Sequence, residues 1–572
     1  LTLRAGTITP PEGGPMDVSG TSFRIPDTRA RPGRGTLRWR SESTVTAALS
    51  LIDQPPLELL QAAGRQPDLA EGRVALSGEI AFPIRPGVTP ADVDFALGGT
   101  LADIRSEALV PGRIVTAERM ALDATPRALE LTGAARVDGA RFEGRYRQPF
   151  GRDAGPVTLA GRVTLPAEAA PAFGLSAPPG TLTGAATGDL ALTLPADGPP
   201  RLAFASDLAG LGLSLPALGW SKPPGATGAF DLAGTLGQPA RFERLSLIAP
   251  GLSLAGSLAL AEGGGLGRLA LDSARIGGWF DGALALEGRG AGRPPALRLG
   301  GGTLDLAAAP LGGGGSGPGP GNALGPVSGR LDRLRLAEGV ALTDLDLALE
   351  PGAGGLSGRF SGRANGGPAV TGRVAPGRGG RPRLSVTSED AGGVLAAIGA
   401  FDEARGGAFD LTLAPATRAD AWDGTLTVRD VRVTAAPGLA TLLNAISVVG
   451  LIEQLEGPGL LFSTVRAGFR LTPGLLELTE ASAVGNALGI SARGQVDLAA
   501  RRLDIEGVLS PIYAVNAIGR VFSREGEGLF GVNYDVEGPL SAPRFRVNPL
   551  SVLTPGAFRE IFRAPPPEPA AR

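Results

Sequence analysis

The chain has 572 residues, and its 54 Lys and Arg against 56 Asp and Glu give a formal net charge of -2, a balance that argues against general nucleic-acid binding. It holds no Cys and no His, which excludes zinc sites built on those ligands, iron–sulfur clusters, haem with a Cys or His axial ligand, and Ser-His-Asp or Cys-His nucleophiles. Its 89 Gly and 50 Pro would suit a disordered polymer, but 43% of its residues are hydrophobic, so short strands punctuated by Gly and Pro turns are expected.

The chain begins at Leu1 rather than Met, which reads as an excerpt or a processed product; any membrane anchor is then expected upstream. No stretch approaches the roughly 20 apolar residues of a spanning helix. The nearest, Thr441 to Ile452, is short and carries Asn444 and Ser447. Residues 29 to 40, "RARPGRGTLRWR", read either as solvated edge charges that discourage strand pairing or as a patch for anionic lipid or an acidic partner. "PPLELLQAAG", residues 55 to 64, is a weak helix candidate. Asp92 and Asp94, like Asp344 and Asp346 further on, are spaced so that a strand puts both on one face. Each pair reads as the solvated side of a half-buried sheet or as two carboxylates acting on a sugar.

"GLSLAGSLALAEGGG" places Leu252, Leu254, Leu258 and Leu260 on one side of a predicted strand. "EGRGAGR", residues 287 to 293, has spaced glycines but is no phosphate loop: the only lysine, Lys222, lies in "WSKPPG". Residues 309 to 326, "APLGGGGSGPGPGNALGP", read as a flexible linker or loop between a region 1–308 and a region 327–563. Strand alternation then returns at Leu345, Leu347 and Leu349, at Phe409, Leu411 and Leu413, and at Leu426 and Val428. A short helix is expected from Val394 to Ala404, and a longer one over residues 437–457, where Leu439, Leu442, Leu443, Ile446, Val449, Ile452 and Leu455 recur at helical spacing.

The clearest hairpin is "GNALGISARGQVDLAARRLDIEGVLSP", residues 485 to 511, with Val496, Leu498, Leu503 and Ile505 apolar on one face. With "AARR" as the loop, Leu498 should face Leu503, Val496 should face Ile505, and Asp497 should lie against Asp504. Helices are expected over residues 511–528 and 554–563, with strands carrying Phe530, Val532, Tyr534 and Val536, then Phe545 and Val547. The helices read either as ordinary core packed on the sheet or as covers over an apolar groove or membrane surface. Residues 564–572 should be a disordered tail.

The fold expected is mainly β: about forty short strands in a long, curled antiparallel sheet, with a few amphipathic helices toward the C-terminus. Aromatic residues are only 5%, so the apolar faces are mostly Leu, Val, Ala and Gly. Two readings stay open for them. They meet in closed sandwich cores, or they line an open aliphatic trough, and an exposed apolar trough implies a ligand or partner.

Residues 536 to 562, "VEGPLSAPRFRVNPLSVLTPGAFREIF", resemble the closing signature of the YhdP-like branch of the bacterial AsmA-like superfamily, through Gly538, Ala542, Pro543, Val547, Asn548, Pro549, Leu550, Pro555 and Gly556. "FDEARGGAFDLTL", "GTLTVRDVRVTAAP" and "GNALGISARGQVDL" are similar to the same family. The resemblance covers about residues 390 to 562; upstream only the β-rich texture agrees. It implies a repeating β-groove in a periplasmic protein anchored in the inner membrane of a Gram-negative bacterium. It also implies a non-enzymatic conduit carrying phospholipid between the inner and outer membranes, without cofactor or metal, and with possible envelope partner proteins. The candidate lining is then Leu252, Leu254, Leu258, Leu260, Leu411, Leu413, Leu426, Val428, Val496, Leu498, Leu503, Ile505, Val532 and Tyr534. Two rivals remain: a structural factor for outer-membrane biogenesis that carries no lipid, and a glycan-binding or glycan-cleaving β-protein using an acidic pair.

Overall fold

Period-two alternation dominates the chain because Gly, Pro and short polar turns interrupt it before any long helix can form, and the protein is accordingly mainly β. The computed structural model describes all residues except 31, 56–57, 63, 90–91, 111, 152–153, 174–179, 311–324, 353–354, 419, 446–448, 512–530, 549–550 and 552–572. Among the described residues there are 34 strands, and the chain divides into two units, Leu1–Gly277 and Gly278–Arg572. Within each, successive strands pair antiparallel in an open, uncurled sheet. The apolar face is therefore a broad floor.

One pair breaks the antiparallel rule. Ala296–Asp305 runs parallel to Val327–Ala337, with Leu297 beside Val327 and Leu304 beside Leu334. A parallel pair needs a connection that returns from one end of the strands to the other. The Gly- and Pro-rich segment 309–326 lies in that connection, and its residues 311–324 fall outside the described ones.

In both units the helices gather at one rim of the sheet. In the N-terminal unit α1 (Val45–Ile52) begins where the strand Gly33–Thr44 ends, because the Thr44 hydroxyl accepts the Ala47 N–H and caps it. Its Val45 closes a small core with Ala70, Val74, Ile104 and Ala117. The strand pattern runs straight into α1, which hid it in the sequence. The candidate at 55–64 contains only the short α2 (Leu59–Ala62). In the C-terminal unit α3 (Ala391–Ala397) starts three residues before the expected helix, because the Asp390 carboxylate caps it by accepting the Gly393 N–H. Within the helix expected over 437–457 the described residues form α4 (Pro437–Ala445) and α5 (Val449–Glu456), and residues 446–448 between them lie outside the described ones. Their Leu442, Leu443 and Leu455 pack with Val428, Val431, Leu460, Phe462, Leu488 and Leu509. Of the helix expected over 511–528 only Pro511 is described, as the end of the strand Arg502–Pro511, and the rest lies outside the described residues, as does the helix expected over 554–563.

The hairpin at 488–511 pairs differently from the sequence expectation. Val496 faces Leu503, Gly494 faces Ile505 and Asp497 faces Arg502, so the turn is 498–501 and Leu498 sits in it. The cause is local. The Asp497 carboxylate accepts the Ala500 N–H at 2.7 Å, and Arg501 takes the left-handed conformation at φ 52°. The slip is two residues, which keeps every side chain on its face. It also removes the Asp497–Asp504 opposition, since Asp504 faces Gln495.

The outward face is charged, and its charges pair across strands. Arg38 meets Glu79 at 4.0 Å, Arg162 meets Asp189 at 3.7 Å, Arg330 meets Asp346 at 3.3 Å and Arg470 meets Asp423 at 2.8 Å; each pair is also a ladder pair. Exposed pairs of this kind add little stability each, but they favour one register over its neighbours. Arg493 with Glu506 makes the same contact in the last hairpin.

Glycines on the inward face lie under rings. A Cβ on Gly372 would strike the Phe360 ring, one on Gly424 the Phe469 ring, and one on Gly507 the Tyr534 ring; each ring belongs to the ladder partner. The ring thus covers the bare backbone of the neighbouring strand instead of standing up from the sheet.

Two outcomes follow. Gly424→Ala forces the Phe469 ring off its seat and should destabilise the C-terminal unit by about 1–3 kcal/mol. Denaturation followed by circular dichroism should show the loss, and Phe469→Ala in the same chain should recover part of it; an unchanged midpoint contradicts the packing. The second concerns Asp535. Although the residue is exposed, partial desolvation on the ladder, together with the Glu506 and Glu537 carboxylates, holds its carboxyl above the usual aspartate range. The folded state then keeps a proton that the unfolded chain has released, so Asp535's contribution is full below the ordinary aspartate pKa and is lost as pH rises through the raised value. Asp535→Asn should raise the denaturation midpoint at pH 7 and leave it unchanged at pH 3. An equal gain at both pH values contradicts the assignment.

Candidate functional site

The inward side chains form unbroken rows across the ladders. In the N-terminal unit Leu76, Gly99, Leu122, Leu131, Tyr146 and Leu159 are consecutive ladder partners. The row continues through Leu192, Leu202, Gly234, Phe242, Leu258 and Leu269. In the C-terminal unit Leu286, Leu297, Val327, Leu349, Gly358 and Val374 begin a second row. Leu384, Leu413, Gly424, Phe469, Leu478, Gly494, Ile505, Val536 and Phe545 complete it. At about 4.8 Å per strand the rows run roughly 50 Å and 65 Å. No charged residue interrupts either.

Burial along each strand falls away from the helix rim. In Glu71–Ile84, Val74 is buried beside α1, Leu76, Ile80 and Phe82 are half-buried, and Ile84 at the far rim is exposed. In the C-terminal unit Val428 is buried beside the helices, while Leu426 on the same strand and Leu413 on the next are half-buried. A second sheet packed on this face would bury the mid-strand residues fully. The open face is therefore aliphatic and bordered by helices along one rim.

The residues expected to line such a face divide three ways. Leu252, Val428, Val532 and Tyr534 are closed off, the first three at 2% exposure. Leu254, Leu258, Leu260, Leu411, Leu413, Leu426, Val496, Leu503 and Ile505 are half-buried. Of these, Leu411, Leu426 and Leu503 touch the helix-covered core. Leu498 leaves the face for the turn at 46% exposure. The rows also bring in residues the sequence reading passed over, such as Leu131, Leu192 and Leu384, whose alternation is visible but whose place on the face depends on the ladder.

The polar candidates have structural roles. Asp92 accepts from the Thr89 N–H and hydroxyl and pairs with Arg85 at 2.7 Å; the Thr89 hydrogen bonds, then Arg85, hold its carboxyl below the usual range. Asp94 lies 3.9 Å from Arg34, and Asp346 pairs with Arg330. The Tyr534 hydroxyl donates to the Ser491 carbonyl at 2.9 Å, and its burial pushes its pKa up. Lys222 is buried and its ammonium donates to the Leu208 and Leu211 carbonyls, both at 2.8 Å. Burial draws its pKa down, and the lysine ties together the small hairpin Leu211–Leu215 and Trp220–Lys222. Among the described residues no three metal-ligating side chains cluster.

Among known proteins, no family model matches the chain, and neither a curated protein nor a solved structure matches it.

Proposed function

We propose that the chain is a non-enzymatic lipid carrier whose aliphatic sheet face holds the acyl chains of phospholipid. One observation carries the reading: continuous rows of Leu, Val, Gly and flat-lying aromatic side chains stay half-exposed in mid-strand, apart from the buried Val374, Gly424 and Val536, while the opposite face is ladders of ion pairs. Each methylene kept from water is worth about 0.8 kcal/mol, so a lipid leaving a bilayer needs a continuous apolar surface. Rows without charged interruptions offer many near-equal positions and low barriers between them. The resemblance of residues 390 to 562 to the YhdP-like branch adds a place: the periplasm of a Gram-negative envelope, with phospholipid passing between inner and outer membranes.

The test is a photo-crosslinking side chain at Val496, half-buried on the apolar face, and at Thr425, exposed on the other. In cells the Val496 position should give phospholipid adducts and Thr425 none. Val496→Asp, which places a charge in the row, should abolish crosslinking at Leu413. If Val496 yields only intraprotein or protein–protein products, the chain is a structural factor that carries no lipid.

A further inference from the structure

In the C-terminal unit the two rims of the sheet differ in charge. Among the described residues the connections at the helix rim carry Glu338, Glu389, Asp390, Asp402, Glu403, Glu453 and Glu456, with Arg405 in the short strand there. The connections at the opposite rim carry Arg289, Arg293, Arg378, Arg381, Arg418 and Arg501, and among the described residues Asp420 is their one carboxylate. Asp420 pairs with Arg418. Arg381 donates to the Arg418 and Ala421 carbonyls and lies 4.7 Å from the Trp422 ring centroid. The other four, Arg289, Arg293, Arg378 and Arg501, are exposed, and among the described residues their side chains have no ion-pair or hydrogen-bond partner.

The described connections of this unit thus sort acids and bases by rim in a chain with nearly equal numbers of each. The four guanidiniums satisfy nothing in the fold. Beside them the same rim exposes apolar side chains. Leu498 lies in the turn with Arg501, and Leu540, at 38% exposure, lies beside that turn, its N–H donating to the Arg501 carbonyl. Leucine next to an unpaired guanidinium matches the boundary between an acyl chain and a phosphate. Along the ladder these unpaired guanidiniums stand at three places about five and six strands apart, roughly 24 Å and 29 Å, farther than the Debye length of about 8 Å at physiological salt, so each place acts as a separate positive site.

We infer that this rim seats the headgroups of anionic phospholipids. The lipids lie across the face with their phosphates on the arginine rim and their acyl chains on the aliphatic rows, and the acidic helix rim repels the reverse orientation. The inference rests on the lipid-carrying reading and adds a headgroup class and a direction to it.

The test incubates the full chain with vesicles of equimolar phosphatidylglycerol and phosphatidylcholine, separates protein from vesicles, and counts the lipids carried by mass spectrometry. Wild type at low salt should be enriched in phosphatidylglycerol about 5-fold, the effect of roughly one guanidinium near an anionic headgroup. The enrichment should collapse at 0.5 M salt and in the quadruple variant Arg289→Gln, Arg293→Gln, Arg378→Gln, Arg501→Gln, while phosphatidylcholine is still carried. Inorganic phosphate at the same ionic strength as a chloride control should lower it no further, because the site is built for a tethered phosphate. Equal loading of both lipids, or enrichment that survives in the variant, overturns the rim assignment and leaves the apolar face standing. Chains that bind the vesicles but leave them with no lipid of either kind overturn both readings.

Discussion

Most strands of this protein have one aliphatic side and one polar or charged side, and among the described residues the helices that cover the aliphatic side stand at a single rim. That constraint organises the rest. Where α1 or α4 and α5 reach over the sheet, Val74, Ile104, Val428 and Leu460 close into ordinary core. A few residues along the same strands the cover ends, and Leu76, Ile80, Leu413 and Leu426 keep part of their surface in contact with solvent. Apolar surface left this way costs about 25 cal/mol per Å², so a face of such extent gains from whatever covers it. The outward charges complete the asymmetry, since their cross-strand pairs prefer water and hold the register that keeps the other face uniformly apolar.

The unusual composition follows from the same geometry. A closed sandwich interior uses large interdigitating side chains, and this chain has few. Its face is built instead from Leu and Val over Gly, with the occasional ring laid across a neighbouring glycine, as Phe469 lies over Gly424. The glycines are thus partners of the rings as well as turn residues, and they keep the surface low and even. Such a surface suits a ligand that slides along it better than one that is gripped in a pocket.

Much of this was legible in the sequence, because period-two alternation is a local signal. The mainly β class, the antiparallel pairing and the sidedness of Leu254, Leu411, Val496 and Ile505 follow from it directly. What it cannot fix is anything that period two leaves degenerate. A slip of two residues preserves every face, so the hairpin at 488–511 was expected with Leu498 on the floor, and only Asp497's bond to Ala500 and the left-handed Arg501 decide the turn. Helix α1 was missed because its apolar residues continue the preceding strand, although Thr44 was an available cap. The sorting of arginines and carboxylates between two rims was invisible for another reason. Arg289 and Arg501 are 212 residues apart in the chain, and only the alternation of turn and helix ends through the intervening strands puts them on one side. The flat sheet and the parallel pair at Val327 likewise depend on how strands meet, which alternation does not encode.

The most direct measurement is a cryo-EM map of the chain purified from membranes in mild detergent. Elongated density on the aliphatic face, crossing the row that contains Leu413, Phe469 and Ile505 and ending in headgroup density at one rim, is the expected result. A map in which that face is covered by polypeptide, whether a second copy or another protein, and holds no hydrocarbon-shaped density contradicts the account.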